Sequence, residues 1–438
     1  MTEALDVVEF LLTARVYDRH QDLDENDLPP AHRIALWGDD GVPRPPQTTE
    51  DATRDATGIA DPWEAVSELM FTDRDAFAGS ITLVDDDMAI DWFVDRAAAD
   101  RISANPVLAF VFGDEFGVDY ETARDANRPV QADPQWIDGL LEEYFDEDDE
   151  EMLDLVDVRS PAELTVSLDD IVLTDDQEAE MSKVAKAIEH RDYLATIGLN
   201  EVGKLLFVGP PGTGKTSTAR GLAHQLDLPF VEVKLSMITS QYLGETAKNV
   251  EKVFEVAKRL SPCILFMDEF DFVATTRTGD EHNAIKRAVN TLLKSIDEIS
   301  LVTDDVLLIG ATNHPDELDA AAWRRFDEIL SFPRPDEGMR ADIISLVTSE
   351  VDIADFDPAA LAAETSGLTG SDLRLVLREA VLDALVEDRT ELTQDDLMAA
   401  ISEFEDRDHL RNLDTLEDAI DDTHSDHTHD DHPAPNPE

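Results

Sequence analysis

From about residue 165 the sequence predicts an α/β fold organised around a parallel sheet. Short apolar segments alternate there with segments of helical periodicity, as in strands that are joined by crossover helices. From Asp336 onward the apolar residues recur at helical spacing alone, so we expect a small helical-bundle domain after the sheet. The predicted strands are KLLFVG, PFVEVKL, CILFMDE, DVLLIGATN and EILSFP.

Changes of composition divide the chain into parts. Residues 1–150 begin with the amphipathic segment ALDVVEFLLTARVYDRH and predict a mixed α/β or mostly helical domain, whose fold the pattern does not identify. We expect an acidic linker over 151–167, the large α/β domain over 168–335 and the helical domain over 336–410. Residues 411–438 are acidic and rich in histidine, which is typical of a disordered tail. Those histidines could bind Zn²⁺ or Ni²⁺, although their spacing defines no coordination geometry.

The chain carries a formal net charge of −64, from 99 acidic and 35 basic residues. The acids are interleaved with apolar residues along the whole length, which favours a folded protein whose self-repulsion is screened by concentrated salt. The Debye length falls to ~3 Å at 1 M salt. We therefore expect a salt-accumulating cytoplasm, as in haloarchaea. A polycation-binding protein would instead concentrate its acids in one segment.

The sequence contains no signal for export or for membrane insertion. The single cysteine, Cys263, excludes an intrachain disulfide, and its place inside CILFM indicates a buried structural thiol. No stretch reaches the ~18 apolar residues of a membrane span. The acidic start MTEALDVVEF differs from the basic start of a secretory signal peptide. We expect a cytoplasmic protein with no membrane partner.

The segment GPPGTGKTS follows the first predicted strand of the sheet and precedes a helical segment. Its spacing fits the phosphate-binding pattern G-x-x-x-x-G-K-[ST], in which backbone N–H groups surround a phosphate. The lysine reaches the β and γ phosphates, and the threonine hydroxyl is a ligand of Mg²⁺. A chance match in a glycine-rich turn would lack the flanking strand and helix. The predicted nucleotide-binding residues are Gly209, Pro210, Pro211, Gly212, Thr213, Gly214, Lys215, Thr216 and Ser217.

Two further predicted strands end in polar residues suited to phosphate chemistry. CILFMDEFD ends in Asp268, which we expect to hold Mg²⁺ with Thr216, and in Glu269, which we expect to polarise the attacking water as general base. A solvated acidic turn is the alternative, but the apolar run favours a buried strand. LLIGATNHP ends in Asn313, an uncharged amide that can orient water beside the γ-phosphate.

The order of these segments, followed by LDAAAWRRFDEIL, resembles the AAA family of ATPases over about residues 168 to 405. The resemblance implies that Arg324 and Arg325 are arginine fingers, which act on the ATP of the next subunit. Many members carry another arginine three residues after the first, where this chain has Glu328. The adjacent pair is closer to the style of katanin and spastin, and which arginine dominates stays open.

The resemblance also extends to residues on either side of the motifs. In LDDIVLTDDQEAEMSKVAKAIEH it implies that Ile171 faces the adenine. In SGLTGSDLRLVLREA, which looks like the start of the family's small helical domain, it implies that Gly370 and Ser371 lie close to the nucleotide. The expected cofactors are ATP and Mg²⁺.

The segment SQYLGETAKNVEKVF contains an aromatic–hydrophobic–glycine triplet, Tyr242-Leu243-Gly244. AAA unfoldases and remodellers place such a triplet on a loop that faces the central pore of the ring, so the resemblance implies a pore loop here. An ordinary core tyrosine is the alternative, because one aromatic residue beside a glycine is a common pattern. The position after PFVEVKL and before a helical segment favours the pore loop.

We expect a Mg²⁺-ATP-dependent AAA ATPase, assembled as a homohexameric ring, that remodels or unfolds a protein client chosen by residues 1–150. The alternative is a nucleic-acid-associated AAA+ ATPase of the clamp-loader or origin-binding type. That function needs a basic surface that neutralises the phosphate backbone, whereas the arginines here are scattered among acids. The absence of an H-E-x-x-H segment excludes a membrane AAA metalloprotease.

Overall fold

The N-terminal region is mostly helical. The computed structural model describes residues 2–146, 149–200, 202–238, 246–273, 282–318, 320–354 and 356–407. In the first of these ranges, helices surround one apolar cluster, and a hairpin of strands β1 (Thr72–Asp75) and β2 (Ser80–Leu83) lies beside them. The helices are Thr2–Arg19, Pro30–Leu36, Glu50–Thr57, Pro62–Val66, Asp86–Val94, Ala99–Ser103, Pro106–Phe116, Tyr120–Asp125 and Pro134–Tyr144.

Short polar side chains begin several of these helices. Thr49, Asp85 and Asn105 each accept a hydrogen bond from the backbone N–H three residues further on, at 3.0, 3.0 and 3.3 Å. Such caps satisfy N–H groups that the first helical turn leaves unpaired. Local sequence therefore sets where these helices begin, and apolar packing holds them together.

A buried ion pair ties two distant segments of this region together. The side chains of Arg33 and Asp133 are both 0% exposed, and Arg33 Nη2 donates to Asp133 Oδ1 at 3.1 Å. Arg33 also donates to the backbone carbonyls of Glu25 and Arg128, at 3.1 and 2.9 Å. These bonds satisfy a charge that would otherwise be costly to bury. The pair thereby connects helix Pro30–Leu36 to the start of helix Pro134–Tyr144.

The sheet confirms the predicted α/β fold. Within the described ranges its strand order is β3–β5–β6–β7–β4–β8, with β3 antiparallel to β5 and the other neighbours parallel. Leu205 and Phe207 pack into one apolar cluster while Leu206 packs into another, because successive side chains of a strand point to opposite faces. The strands are β3 Val156–Arg159, β4 Lys204–Val208, β5 Phe230–Val233, β6 Cys263–Met267, β7 Val306–Thr312 and β8 Glu328–Ser331.

Helices cover both faces of this sheet. The P-loop helix, Lys215–Gln225, packs through Leu222 in the cluster that contains Phe207. Helix Thr246–Arg259 packs through Phe254 in the opposite cluster. The remaining helices of this part are Glu150–Leu153, Asp175–Glu189, Arg191–Thr196, Leu235–Ile238, His282–Glu298, Leu301–Asp304 and Ala320–Trp323.

The segment expected to be an acidic linker, 151–167, contributes a strand of the sheet. Within it, β3 pairs along β5 from Val156 opposite Val233 to Arg159 opposite Phe230. Phe145, before this segment, and Met152, within it, are buried in the cluster that contains Leu265 of the sheet. The acidic composition conceals the alternation of apolar and polar residues in VDVR. In packing terms, the large domain therefore begins before residue 150.

A helical domain follows the sheet, as predicted. Its helices enclose an apolar cluster formed by residues such as Ile344, Leu373 and Leu397. Two short parallel strands pair within it: β9 Ile353–Ala354, after its first helix, and β10 Leu392–Thr393, before its last helix. The helices are Glu337–Val347, Pro358–Glu364 and Gly370–Val386, with another over 394–407. We call this domain the lid. The histidine-rich segment 411–438 lies outside the described residues.

None of the helices that the structure describes combines the length and the apolar character needed to cross a membrane.

Replacing Arg33 by Met should destabilise the N-terminal region strongly, because Asp133 would stay buried without its partner. Removal of one member of a buried ion pair costs about 3–5 kcal/mol. Urea unfolding of the full-length chain, followed by tryptophan fluorescence, measures this change because most tryptophans lie in this region. They are Trp37, Trp63, Trp92 and Trp136.

The matched control is Arg54→Met, which removes an exposed ion pair. Arg54 and Asp51 have side chains that are 45% and 84% exposed, so this change should cost less than about 1 kcal/mol. Equal losses for the two variants would contradict the role given to the buried pair.

Candidate functional site

A cavity of about 380 Å³ lies between the carboxyl-terminal edge of the sheet and the lid. Lys215 and Thr216 line it after β4, Asp268 after β6 and Asn313 after β7. The structure therefore brings together residues from three separate segments that the sequence predicted to act on phosphate. The other predicted P-loop residues that line the cavity are Pro211, Gly212, Thr213, Gly214 and Ser217.

Two positions in the loop before the P-loop helix require glycine, because atoms of other segments lie too close for a Cβ atom. A Cβ atom on Gly209 would lie 2.0 Å from the carbonyl oxygen of Phe332. Gly212 has a φ of +77°, and a Cβ there would lie 2.1 Å from Ser371 Oγ. The helix then begins at Lys215, so the N–H groups of its first turn are available to an anion. The loop and helix form a phosphate cradle whose outer wall is the lid.

Lys215 extends across this cradle. Its Nζ donates to the carbonyl oxygens of Gly209 and Pro210 at 2.7 and 2.8 Å, and to Asn313 Oδ1 at 2.8 Å. Burial lowers the pKa of the Lys215 ammonium below its usual value, and Asp268 and Asp271 act in the opposite direction. All three hydrogen-bond partners of Lys215 are uncharged, so they leave its positive charge unneutralised and able to attract a phosphate oxygen.

Thr216 and Asp268 form an oxygen pair on the other side of the cradle. Thr216 Oγ1 donates to Asp268 Oδ2 at 2.8 Å. The hydroxyl and carboxylate suit Mg²⁺, which is usually held by one or two protein oxygens together with water and substrate phosphates. Among the described residues no group of three or more His, Cys, Asp and Glu side chains is arranged to hold a metal. A magnesium site here would therefore depend on the phosphates of a bound nucleotide.

Three predicted catalytic residues do not line the cavity. Glu269 is exposed beside Asp268, in a left-handed conformation with φ of +48°. Arg324 is exposed as well. Arg325 Nε donates to the carbonyl of Leu293 at 3.0 Å and lies 3.0 Å from Asp297 Oδ1, on a neighbouring helix. Neither arginine therefore lines the cavity of its own chain.

The lid contacts the P-loop directly. Helix Gly370–Val386 is capped by Thr369, and Asp372 accepts from the backbone N–H of Thr369 at 2.8 Å. The backbone N–H of Ser371 donates to the carbonyl of Gly212 at 3.2 Å. Gly370 and Ser371 line the cavity, as does Ile171 from the segment before the sheet. Ile171, which we expected to face the adenine, and Gly370 and Ser371, which we expected close to the nucleotide, therefore border the same space.

One wall of the cavity is formed by residues that the sequence did not predict to line it. Met339, Ile343 and Val347 line it from helix Glu337–Val347, where they recur every four residues. That spacing was visible in the sequence, but it equally describes a helix face inside a core. Arg374 lines the cavity too, and its Nη2 donates to the carbonyl of Asp170 at 3.3 Å.

The N-terminal region contacts the far end of the P-loop helix. Arg128 Nη2 lies 2.7 Å from His224 Nε2, and His224 Nδ1 lies 3.1 Å from the carbonyl of Pro161. Because arginine can only donate, Nε2 accepts and Nδ1 carries the proton. The helix that begins at Lys215 therefore ends against the N-terminal region.

The predicted pore-loop triplet, Tyr242, Leu243 and Gly244, lies outside the described residues. Helix Leu235–Ile238 precedes it and helix Thr246–Arg259 follows it.

Sequence profiles of known families match both domains that form the cavity. The profile of the ATPase family associated with various cellular activities (AAA) matches residues 205–334. The profile of the AAA+ lid domain matches residues 355–399. Both matches lie on the elements that line the cavity.

The chain is also similar to individual proteins. It is 40% identical over 235 residues to the uncharacterized AAA family ATPase y4kL of Sinorhizobium fredii, which is 53% of this chain and 70% of that protein. It is 35% identical over 244 residues to a proteasome-activating nucleotidase of Methanococcus maripaludis, and 34% identical over 241 residues to proteasome-activating nucleotidase 1 of Halobacterium salinarum. These alignments cover 55% and 54% of this chain, and 60% and 59% of the two nucleotidases.

Replacing Gly212 by Ala should weaken ATP binding by roughly tenfold or more, about 1.4 kcal/mol. The added methyl group would meet Ser371 Oγ and Thr369 Oγ1, at 2.1 and 2.6 Å, and would push the lid away from the loop. Titration with a fluorescent ATP analogue measures the affinity.

Gly198→Ala is the matched control, because Gly198 has a similar φ of +78° but no atom within 4 Å of a Cβ. This variant carries the backbone strain of the left-handed region without the collision. Equal losses of affinity would show that strain, and not contact with the lid, explains the effect.

Proposed function

The chain belongs to the AAA family of ATPases, and from this premise we propose that it couples Mg²⁺-ATP hydrolysis to the remodelling or unfolding of protein clients. The observation that carries the proposal is the cavity in which Lys215, Asp268 and Asn313 meet beneath a lid. Similarity to proteins named proteasome-activating nucleotidases supports a protein client. The chain spans only about three fifths of those proteins, so the client is not carried over from them.

The residues around the cavity divide the work of hydrolysis between binding and activation. The P-loop amides and Lys215 bind the phosphates, and Thr216 with Asp268 would hold Mg²⁺. The ion would neutralise charge that develops on the phosphate oxygens. Glu269 takes the proton of the attacking water, and Asn313 orients that water. Asn313 Oδ1 accepts a hydrogen bond from Lys215 Nζ at 2.8 Å, which supports a position for Asn313 beside the γ-phosphate.

We propose that the active form is a homohexameric ring. Arg324 and Arg325 lie outside the cavity of their own chain, which supports action on the nucleotide of a neighbouring subunit. Head-to-tail contacts of this kind close into a ring when the rotation between subunits allows it. The adjacent arginines keep the katanin and spastin style of finger, and Arg325 would have to leave Asp297 to reach a neighbour.

Client handling is assigned to two further parts of the chain. We propose that Tyr242, Leu243 and Gly244 grip the client. The N-terminal region selects the client, and exposed apolar side chains on it support this role. Met70, Phe77 and Val84 are 84%, 102% and 60% exposed, although large apolar side chains are usually buried.

We also infer a cytoplasmic site of action in concentrated salt. The support is the net charge of −64, whose self-repulsion would be screened only at high ionic strength. Assays of the enzyme therefore belong in about 1 M KCl or more, where the Debye length is about 3 Å.

Unfolded protein should stimulate the ATPase, and duplex DNA should not. Tyr242→Ala should keep basal ATPase within a few-fold, because the role proposed for Tyr242 is contact with the client and not with the phosphates, while unfolding of a fluorescent client fails. The control Tyr144→Ala removes a tyrosine that is 44% exposed and should change neither activity.

Stimulation by DNA alone would favour the nucleic-acid alternative. A Tyr242→Ala enzyme that still unfolds its client would exclude threading by this residue. If Tyr242 were a core residue, truncation would cost about 3–5 kcal/mol, and melting temperature and ATPase would fall together.

Arg325→Ala should bind ATP normally but hydrolyse it on the order of 10³- to 10⁵-fold more slowly, and Arg324→Ala should lose as much or less. Mixing Arg325→Ala subunits with binding-dead Lys215→Ala subunits should restore part of the ATPase. The arginine of one subunit would then serve the intact P-loop of the other. If the mixture is no more active than its components, Arg325 acts within its own chain or does not act at all.

A further inference from the structure

The buried hydroxyl of Thr312 joins two segments that end at the catalytic edge. Thr312 is the last residue of β7 and is 0% exposed. Its Oγ1 donates to Asp271 Oδ1 at 2.6 Å and accepts from the backbone N–H of His314 at 3.0 Å. Both bonds bracket Asn313, which lies between Thr312 and His314 in the chain. The backbone around Asn313 is thereby held from both sides.

Asp271 belongs to the segment that carries the proposed base. It lies in the 3-10 turn Phe270–Val273, directly after Asp268 and Glu269. The paired residues of β6 and β7 end at Met267 opposite Gly310. Beyond that point, hydrogen bonds between the two strands no longer hold these segments together. The Thr312–Asp271 bond connects them two residues further on in β7.

Glu269 needs such support because of its backbone conformation. A residue other than glycine with φ of +48° is in the left-handed region, which costs roughly 1–2 kcal/mol. On one side the backbone N–H of Glu269 donates to Asp268 Oδ1 at 2.8 Å. On the other side the chain is anchored at Asp271 through Thr312. The backbone of Glu269 is thus anchored on one side by Asp268 and on the other side by Asp271.

We propose that Thr312 and Asp271 are positioning residues for hydrolysis, which hold Glu269 and Asn313 at a fixed separation around the attacking water. The inference rests on the proposed roles of Glu269 and Asn313. Neither Thr312 nor Asp271 lines the cavity, so we place neither in contact with the nucleotide. Their effect is transmitted through the residues next to them, with Asn313 also bonded to Lys215 Nζ.

Thr312→Val tests the inference, because valine keeps the shape of threonine and removes the hydroxyl. We expect kcat for basal ATPase to fall between about tenfold and a hundredfold, the range caused by a misplacement on the order of 1 Å. The KM for ATP and the affinity for a fluorescent ATP analogue should stay within about threefold, since the phosphate contacts are intact. Thr312→Ser, which keeps the hydroxyl, should restore kcat to within about threefold of the parent.

The matched control is Thr53→Val. Thr53 is also 0% exposed, and its hydroxyl donates to the carbonyl of Thr49 at 2.7 Å, in the N-terminal region. This variant loses a buried hydroxyl of the same kind, so its melting temperature should fall by a comparable amount while kcat is unchanged. A purely structural Thr312 would give the same result as Thr53.

Asp271→Ala removes the same bond from its other end and keeps the test valid if Thr312→Val folds poorly. Where both variants fold, they also form a double-mutant cycle. Asp271 is only partly buried, and the single Asp271→Ala variant should show the same loss of kcat. Only kcat is compared for this variant, because the Asp271 carboxylate also acts on the Lys215 ammonium. The double variant should lose no more than either single variant, because one bond is removed in all three. Additive losses, or a kcat within twofold of the parent in both single variants, would overturn the inference.

The role of Glu269 is tested separately by Glu269→Gln, which should bind ATP and stop turnover. Normal turnover by that variant would overturn the proposed base while leaving the Thr312–Asp271 measurements interpretable. Client unfolding does not enter this experiment, so failure of the remodelling proposal would not affect its outcome.

Discussion

The carboxyl ends of parallel strands β4, β6 and β7 meet at one edge of the sheet, and the polar groups of the site depend on this alignment. Val208 of β4 pairs with Thr312 of β7, while Met267 of β6 pairs with Gly310 of the same strand. The residues that follow these strands are therefore neighbours in space. A one-residue slip would turn each side chain to the opposite face, and the lysine, carboxylates and amide would no longer converge.

The lid completes a pocket that the sheet alone leaves open. Ser371 donates to the carbonyl of Gly212, and Arg374 donates to the carbonyl of Asp170. Both contacts join the lid to segments that surround the nucleotide, so a change at the phosphates can alter the lid position. At its other end the P-loop helix meets the N-terminal region through His224 and Arg128. The loop that contacts the lid and the helix that follows it thus lie between the lid and the N-terminal region.

The sequence by itself determined the features that depend on short-range geometry. A loop with the spacing G-x-x-x-x-G-K-[ST] between a strand and a helix predicts a phosphate cradle, because its chemistry uses neighbouring backbone amides. Apolar runs that end in Asp268 and Asn313 located two strand ends, and alternation of strands and helices then implied that these ends share one edge. The helical lid followed from periodicity alone. These inferences need no knowledge of which residues pack together at a distance.

Only the tertiary structure decided which distant residues meet. Strand β3 was hidden by its acidic surroundings and is recognised by its pairing with β5. Periodicity showed that Ile343 lies on an apolar face but not that this face borders the nucleotide cavity. The bond between Thr312 and Asp271 joins residues 41 positions apart, and no local pattern distinguishes that threonine from others. Long-range contacts of this kind arise from the packing of whole elements, so local propensity and spacing do not encode them.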